Sequence, residues 1–484
     1  MVPKDLRSFI EVLEQHGELV RVREEVDWNL EVGGILRRIY DLGAPAALFE
    51  KIKGYPSGMR ILGAPMGRGR RSVYSRHALA LGLSPEAGYG EIVRAYVERK
   101  NRPFKPKRVA TGPCKEVILR GDEVDLFKFP VPFIHEGDGG RYLGTWHTVV
   151  SRDPVEGWVN WGMYRMMVHD RNNTGMLIPP IQHMGRMYQK AEAMGKPLEC
   201  AVAIGTDPAS VIVSCAMLPD RVEEVDIAGG LLGEPVELVK CETVDLEVPA
   251  SSEIVLEGYV PAGERRSEGP FGEYMGYEAG RSGARPVFHV TCVTHRKDPI
   301  LTVSNMGMPI HESQVVMGIT MAGDIYDELI KLGLPIKMAY MPPYGVTHMI
   351  AISTDTPYMN FAKRVAHAVW GTKAGSMVYY VIVCDSDIDV TNFNEVIHAI
   401  STKCHPVRGI HQVPHAPSYA YMVPFLDAKE RPIGDGAYIL LDCTWPKDWP
   451  KEALPVKSSF DVLWPKEIRD KVLSNWQRYG FPEG

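Results

Sequence analysis

Two glutamates, Glu268 and Glu273, bracket the segment Gly269-Pro270-Phe271-Gly272. Glycine and proline keep such a segment out of a regular helix. A rigid, irregular loop of this kind can aim two carboxylates into one cleft, where they would serve acid-base chemistry. Pattern alone favours a surface turn with solvated acids, and Glu264, Arg265 and Arg266 just upstream make the local charge mixed.

Four other constellations carry chemistry-bearing side chains. Trp158-Val159-Asn160-Trp161-Gly162-Met163-Tyr164-Arg165 places an amide and a guanidinium five residues apart. On an unbroken strand the two face opposite ways, so only a bend near Gly162 brings both to one site. His183 follows Ile181-Gln182 and opens a helix; it reads as a metal ligand or as a structural histidine. Glu223-Glu224 precedes Val225-Asp226-Ile227-Ala228-Gly229, where an acidic pair suits a helix start as well as a ligand role. Lys373 lies in Trp370-Gly371-Thr372-Lys373-Ala374-Gly375, where it either reaches a phosphate or sits exposed in a turn. Other signals are weaker. Pro414 between His411 and His415 argues against a zinc-binding helix. Gly67-Arg68-Gly69-Arg70-Arg71 lacks the glycine spacing of a nucleotide loop.

These residues need elements to hold them. The chain has 484 residues, 45% apolar and 24% charged, which predicts two or three globular domains. A net charge of −6 gives no reason to expect nucleic acid or an anionic membrane as partner. No signal-like or membrane-spanning apolar run stands out, and the eight cysteines are scattered without a Cys-x-x-Cys; both point to a cytoplasmic protein with reduced thiols.

Periodicity predicts a helix at 5–14, a strand at 18–26, a helix near 31–41 and strands near 46–52 and 59–63. Together they make a small α/β domain, with 101–112 as a proline-containing linker. Strands are expected at 142–151, 158–169, 199–204, 210–216, 253–260, 287–296 and 299–305, with a helix at 183–195 among them. Such β-density points to a barrel-like middle domain. Helices near 312–332, 358–370 and 392–403 then alternate with strands near 335–341, 347–353 and 377–384, a second α/β domain. Ile468, Val472, Leu473, Trp476 and Tyr479 share one face of a terminal helix, which packs on its own chain or docks on a second subunit.

The ordered set of motifs resembles the UbiD-type decarboxylases, which use prenylated FMN. The resemblance is nearly full-length. Its most specific pieces are Glu-Gly-Pro-Phe-Gly-Glu at 268–273 and Pro-Ala-Ser-Ser-Glu-Ile-Val-Leu-Glu-Gly at 249–258. It implies an N-terminal α/β domain with linker (1–112), a central split β-barrel that binds the flavin (113–311), a C-terminal α/β domain (312–460) and a terminal helix (461–484). It implies Arg165, Glu268 and Glu273 as catalytic residues, with Glu273 as proton donor. It implies Asn160, His183 and Glu224 as ligands of Mn²⁺ or Mg²⁺, with K⁺ beside them. The cofactor would further meet Met163, Arg165, Gln182, Ser214, Cys215 and Lys373. Ala216 stands where the family pattern favours a larger methionine.

Each residue type suits its implied role. Arginine stays cationic and forks onto carboxylates. Burial and a neighbouring Glu268 would raise the Glu273 pKa, and Arg165 would lower it. An amide oxygen, an imidazole and a carboxylate make a mostly hard donor set for Mn²⁺ or Mg²⁺. The reaction implied is reversible decarboxylation of an aromatic or other α,β-unsaturated acid, with CO₂ as co-product. By family position His311, Ser313 and Met317 border the substrate. His311 either hydrogen-bonds a ring hydroxyl or a second carboxylate, or caps the helix that begins there. The reading leans to a hydroxybenzoate-type acid such as protocatechuate or vanillate, with a furan or pyrrole carboxylate, or a phthalate-type acid or its thioester, left open. The resemblance also implies a prenyltransferase that supplies the flavin, and a homodimer or homohexamer. Two other readings are a flavin oxidoreductase on a similar barrel and a non-catalytic flavin-binding subunit.

Overall fold

The computed structural model describes residues 1–278, 282–417, 424–427, 429–430 and 434–482. The first helix, Leu6–Gln15, buries Leu6, Phe9, Ile10 and Leu13. Asp5 caps it, accepting from the Ser8 amide at 2.7 Å. Strand Leu19–Val26 then pairs in parallel with Ala46–Ile52, and helix Glu31–Leu42 makes the crossover. Arg60–Gly63 adds to Ala46–Ile52 in antiparallel fashion.

A second sheet holds the middle of the chain. Its path among the described residues runs Tyr142–Gly144, Met166–Asp170, Asn173–Met176, Gly283–His295, Ile254–Val260, Leu198–Ile204, His147–Arg152, Val159–Gly162. Arg265–Glu268 and Val117–Arg120 both pair with the long strand Gly283–His295. The third large sheet is C-terminal, in the order Ile336–Tyr340, Met349–Thr354, Tyr380–Asp385, Asp435–Cys443, Ile410–Pro417. The 20-residue helix Glu312–Lys331 joins the parts. It meets helix Tyr89–Lys100, where Tyr96 Oη and Lys100 Nζ both donate to Asp324 Oδ1, at 3.1 and 2.8 Å.

Three segments differ from the sequence-based expectation. Residues 210–216 were expected as a strand; Pro208–Ser214 is a helix capped by Asp207. Its Val211-Ile212-Val213 run is buried, and a short apolar run buried all round carries no period that separates helix from strand. The strand expected at 299–305 is Ile300–Val303. It pairs in parallel with Arg60–Gly63 and so belongs to the N-terminal sheet. The expected linker contains Lys107–Val109, which pairs with Glu237–Lys240 and is thereby fastened down. The terminal helix is Lys466–Ser474. Ile468, Leu473, Trp476 and Tyr479 on its expected face are all exposed. No helix among the described residues is long and apolar enough to cross a membrane.

Candidate active site

Glu268 ends strand Arg265–Glu268, and the chain then turns at Gly269 with φ +83°. A Cβ at 269 would lie 3.2 Å from Arg165 Nη2, so glycine serves both the left-handed turn and the close approach. Arg165 lies in the gap between Val159–Gly162 and Met166–Asp170. That break in the strand turns Asn160 and Arg165 toward one cleft.

Arg165 Nε donates to Glu268 Oε1 at 3.0 Å, and Nη2 to Oε2 at 2.7 Å. Its Nη1 donates to Glu273 Oε1. All three side chains are nearly buried. Tyr142 Oη donates to Glu268 Oε1 at 2.9 Å. Asp138 Oδ1 accepts from the Gly272 amide at 3.2 Å, and Gln314 Nε2 donates to the Tyr274 carbonyl at 2.5 Å, so the loop is held on both sides. Burial raises the Glu273 pKa; Arg165 opposes that rise and the Glu268 charge adds to it. For Arg165, burial works against the cation, but Glu273 and Glu268 outweigh it and raise its pKa.

A second group converges nearby. His183 opens helix His183–Ala193, and Glu224 opens helix Glu224–Leu232. Glu223 Oε1 accepts from the Val159 amide at 3.1 Å, and Glu224 Oε2 accepts from the Trp161 amide at 2.8 Å. The two glutamates therefore hold the strand on either side of Asn160. His183 Nδ1 stands 2.9 Å from Asn160 Oδ1 and 3.8 Å from Glu224 Oε1. Asn160 and Glu224 are each 2% exposed and His183 is 4% exposed, and Asn160 Nδ2 has no hydrogen-bond partner.

These residues fit a hard divalent cation. Adjacent donors around an octahedral ion with bonds of about 2.1 Å lie about 3 Å apart, close to the His183–Asn160 spacing. Among the described residues no group of three or more His, Cys, Asp or Glu is placed to hold a metal ion by itself; this set has two such groups and an amide. Lys373 Nζ lies 2.5 Å from His183 Nε2 and donates to the Leu218 carbonyl at 2.8 Å. Burial lowers its pKa to about 8, against the pull of Glu224 and Asp220.

Both groups border one cleft of about 1110 Å³, counting space open to solvent at its mouth. Asn160, Met163, Arg165, Gln182, His183, Ser214, Cys215, Glu224, Glu273, Ser313, Met317 and Lys373 all line it. Two expected residues do not. Glu268 sits behind Arg165. His311 is fully buried as the cap of helix Glu312–Lys331, with Nδ1 accepting from the Ser313 amide at 3.4 Å. Ser214 Oγ donates to the Ser210 carbonyl at 2.7 Å, and burial pushes the Cys215 thiol up to about 12.

Sequence reasoning missed Tyr142, Tyr274 and Leu177, whereas Met306 lies in the segment 305–313 expected to border the substrate. Tyr142 meets Glu268 only through the fold, and its strand position carries no chemical signature. Tyr274, Leu177 and Met306 line the cleft. Tyr274 had a signal available, since it directly follows Glu273.

Comparison with known proteins gives the family. The family models that match are described as the 3-octaprenyl-4-hydroxybenzoate carboxy-lyase N-terminal domain (residues 10–96), Rift-related domain (106–309) and C-terminal domain (314–443). The chain belongs to the UbiD carboxy-lyase family. It is 37% identical to pyrrole-2-carboxylic acid decarboxylase of Pseudomonas aeruginosa, over 99% of this chain and 98% of that one. The vanillic acid decarboxylase of Sedimentibacter hydroxybenzoicus in closed form superposes with a TM-score of 0.88 at 31% identity, covering 99% of this chain and 100% of that one. An evolved dimeric form of the UbiD-class enzyme HmfF from Pelotomaculum thermopropionicum, solved with prFMN, gives a TM-score of 0.79 at 32% identity, covering 93% and 97%.

Proposed function

We propose that this chain catalyses the reversible, non-oxidative decarboxylation of an aromatic or heteroaromatic acid, with prenylated FMN in the cleft and Glu273 as proton donor. One observation carries the reading: Arg165 binds both Glu268 and Glu273, but only Glu273 of the two acids lines the cleft. In this reading Asn160, His183 and Glu224 hold Mn²⁺ or Mg²⁺, with K⁺ beside it. The divalent ion and Lys373 would neutralise the flavin phosphate. Bound there, prenylated FMN supplies the electron sink that lets CO₂ leave.

The protein's own residues do the rest. Glu273 is buried and its pKa is raised, so it can carry a proton where an exposed carboxyl would have lost it. As the bond to the carboxyl group breaks and CO₂ departs, the Glu273 proton forms the new C–H bond, and solvent restores it. Arg165 holds the carboxylate that remains. Leu177, Met306 and Met317 add apolar side chains to the cleft wall, which would keep water from the reacting carbon. Because His311 is engaged in its helix cap, a hydroxybenzoate has no special claim from that residue. The names of the relatives, a pyrrole carboxylate and a vanillate decarboxylase, support an aromatic ring without choosing between five and six members.

The wider reading follows the family. The chain would divide into domains at 1–112, 113–311 and 312–460, with 461–484 as a terminal helix and the ten-stranded sheet as the flavin-holding split barrel. Its exposed apolar helix face supports docking on a second subunit in a homodimer or homohexamer. Eight unpaired cysteines support a reducing compartment such as the cytoplasm, where a prenyltransferase would supply the flavin.

The test is reconstitution with prenylated FMN and Mn²⁺, followed by H/D exchange on a panel of pyrrole, furan, phenol and styrene products. Exchange on one ring class is expected, with Glu273→Gln about a hundred- to ten-thousand-fold slower. Wild-type-like exchange in that variant removes Glu273 from its role. NADH oxidation without exchange would favour the oxidoreductase reading.

A further inference from the structure

A second, smaller pocket shares His183 with the cleft. Asp153, Glu156, Trp158, Arg186, Lys190, Asp220 and Arg221 surround it with His183. Its cations are all matched by acids, so it makes no anion site. Lys190 pairs with Asp153 and Glu156, Arg221 with Glu156, and Arg186 with Asp220. Its informative contact is with the imidazole. Asp220 Oδ1 lies 3.0 Å from His183 Nε2, the ring nitrogen that faces away from Asn160 and Glu224.

We propose that Asp220 is a positioning residue, held by Arg186, that keeps the His183 ring in the Nε2–H tautomer and so presents a bare Nδ1 to the Asn160–Glu224 pair. The inference rests on the donor set proposed above. Asp220 is half-exposed, and an unanchored carboxylate there would wander. Arg186 prevents that with a two-point clamp, Nη1 to Oδ2 at 2.7 Å and Nη2 to Oδ1 at 2.5 Å. Arg186 stands three residues after His183 on the same helix, so clamp and ring move as one body. The Trp158 ring meets the imidazole edge-on at 5.0 Å and limits its rotation.

The Nε2 atom has two suitors. Lys373 Nζ, at 2.5 Å, can donate only to a bare nitrogen, whereas Asp220 can accept only from an N–H. A cation at Nδ1 takes that lone pair, and the neutral ring then carries its hydrogen on Nε2. Asp220 becomes the partner, and the Lys373 ammonium is left for an anion in the cleft. Carboxylate–histidine–metal relays of this form commonly govern about ten- to a hundredfold in metal affinity.

The test measures Mn²⁺ binding by EPR in the full-length protein with unmodified FMN, and FMN binding by fluorescence with and without Mn²⁺. Asp220→Ala is expected to weaken Mn²⁺ about ten- to a hundredfold, with Asp220→Asn and Arg186→Ala weakening it less. FMN affinity without Mn²⁺ and the thermal midpoint should stay near wild type. The ¹⁵N shifts of His183, assigned by difference from His183→Gln with Mg²⁺ bound, should report Nε2–H in the parent and a mixed tautomer in Asp220→Ala. If both Asp220 variants bind Mn²⁺ like the parent while His183→Ala does not, the positioning role is overturned and the donor set stands. If His183→Ala also binds like the parent, the donor set itself has failed.

Discussion

Arg165 and Glu268 meet fork to fork, with Nε to Oε1 at 3.0 Å and Nη2 to Oε2 at 2.7 Å, and the guanidinium keeps one nitrogen for Glu273. Glu268 receives a further hydrogen bond from Tyr142 and has no face on the cleft. Two carboxylates five residues apart thus have different surroundings, one saturated with donors and one facing the cavity. Such a division of environments separates a fixed anion from a working acid.

Replacing Glu268 by Gln should therefore reduce turnover although Glu268 touches no substrate. The amide puts an NH₂ against a guanidinium N–H and removes a charge that Arg165 shares. Arg165 then acts on Glu273 alone and pulls its proton affinity down. A fall in kcat of about a hundredfold or more is expected, with FMN content unchanged. Loss of FMN along with activity would make Glu268 a folding residue instead.

The pH dependence follows from Glu273. Burial raises its pKa above 4.5, helped by Glu268 and opposed by Arg165. The folded state therefore holds this proton at pH values where the unfolded chain has released it. Stability from this group is lost as pH rises above 4.5 toward the raised value. Turnover should fall over the same alkaline limb as the donor deprotonates. Glu273→Gln should flatten that part of the thermal-stability profile. An unchanged slope in the variant would assign the titration elsewhere.

Much of this was legible in the sequence because the informative residues are local. The loop at 268–273 carries its own glycines and proline, and the helix starts at His183 and Glu224 follow turn-rich segments. The period of Leu6–Gln15 is strong enough to place its four buried residues directly. What escaped depends on pairing across long distances. Ile300–Val303 reads as one more strand in a β-rich run, yet its partner lies some 240 residues earlier, at Arg60–Gly63. The run Val211-Ile212-Val213 is β-branched and buried, and the Asp207-Pro208 start makes it a helix. Tyr142 reaches Glu268 because strand Tyr142–Gly144 lies at the sheet edge beside Met166–Asp170.

The donor set yields a prediction that needs no substrate. Asn160→Ala and His183→Ala should each lower FMN retention in Mn²⁺ buffer, while Glu224→Gln, which keeps an acceptor for the Trp161 amide, should do so less. The difference should vanish in the presence of EDTA, where all four proteins retain FMN equally poorly. Equilibrium dialysis with flavin absorbance reads this directly. Equal retention with and without chelator would remove the metal from cofactor binding.

The place of His311 bears on which contacts choose the acid. Its side chain is fully buried, Nδ1 accepts from the Ser313 amide, and Gln314 Oε1 accepts from the His311 amide at 2.9 Å. Burial lowers its pKa to about 3, so the ring is a neutral cap above that value. His311→Ala should cost about 0.5–2 kcal/mol of stability, as loss of a helix cap does. The relative rates on pyrrole, furan and hydroxybenzoate acids should hardly change, since Ser313 and Met317 keep their places on the cleft wall. Because the unfolded chain protonates this histidine near 6.5 while the folded one resists until about 3, part of the stability is lost as pH falls through that window, and the variant should lose less of it. A changed order of substrates with an unchanged thermal midpoint would instead put the ring in contact with the acid.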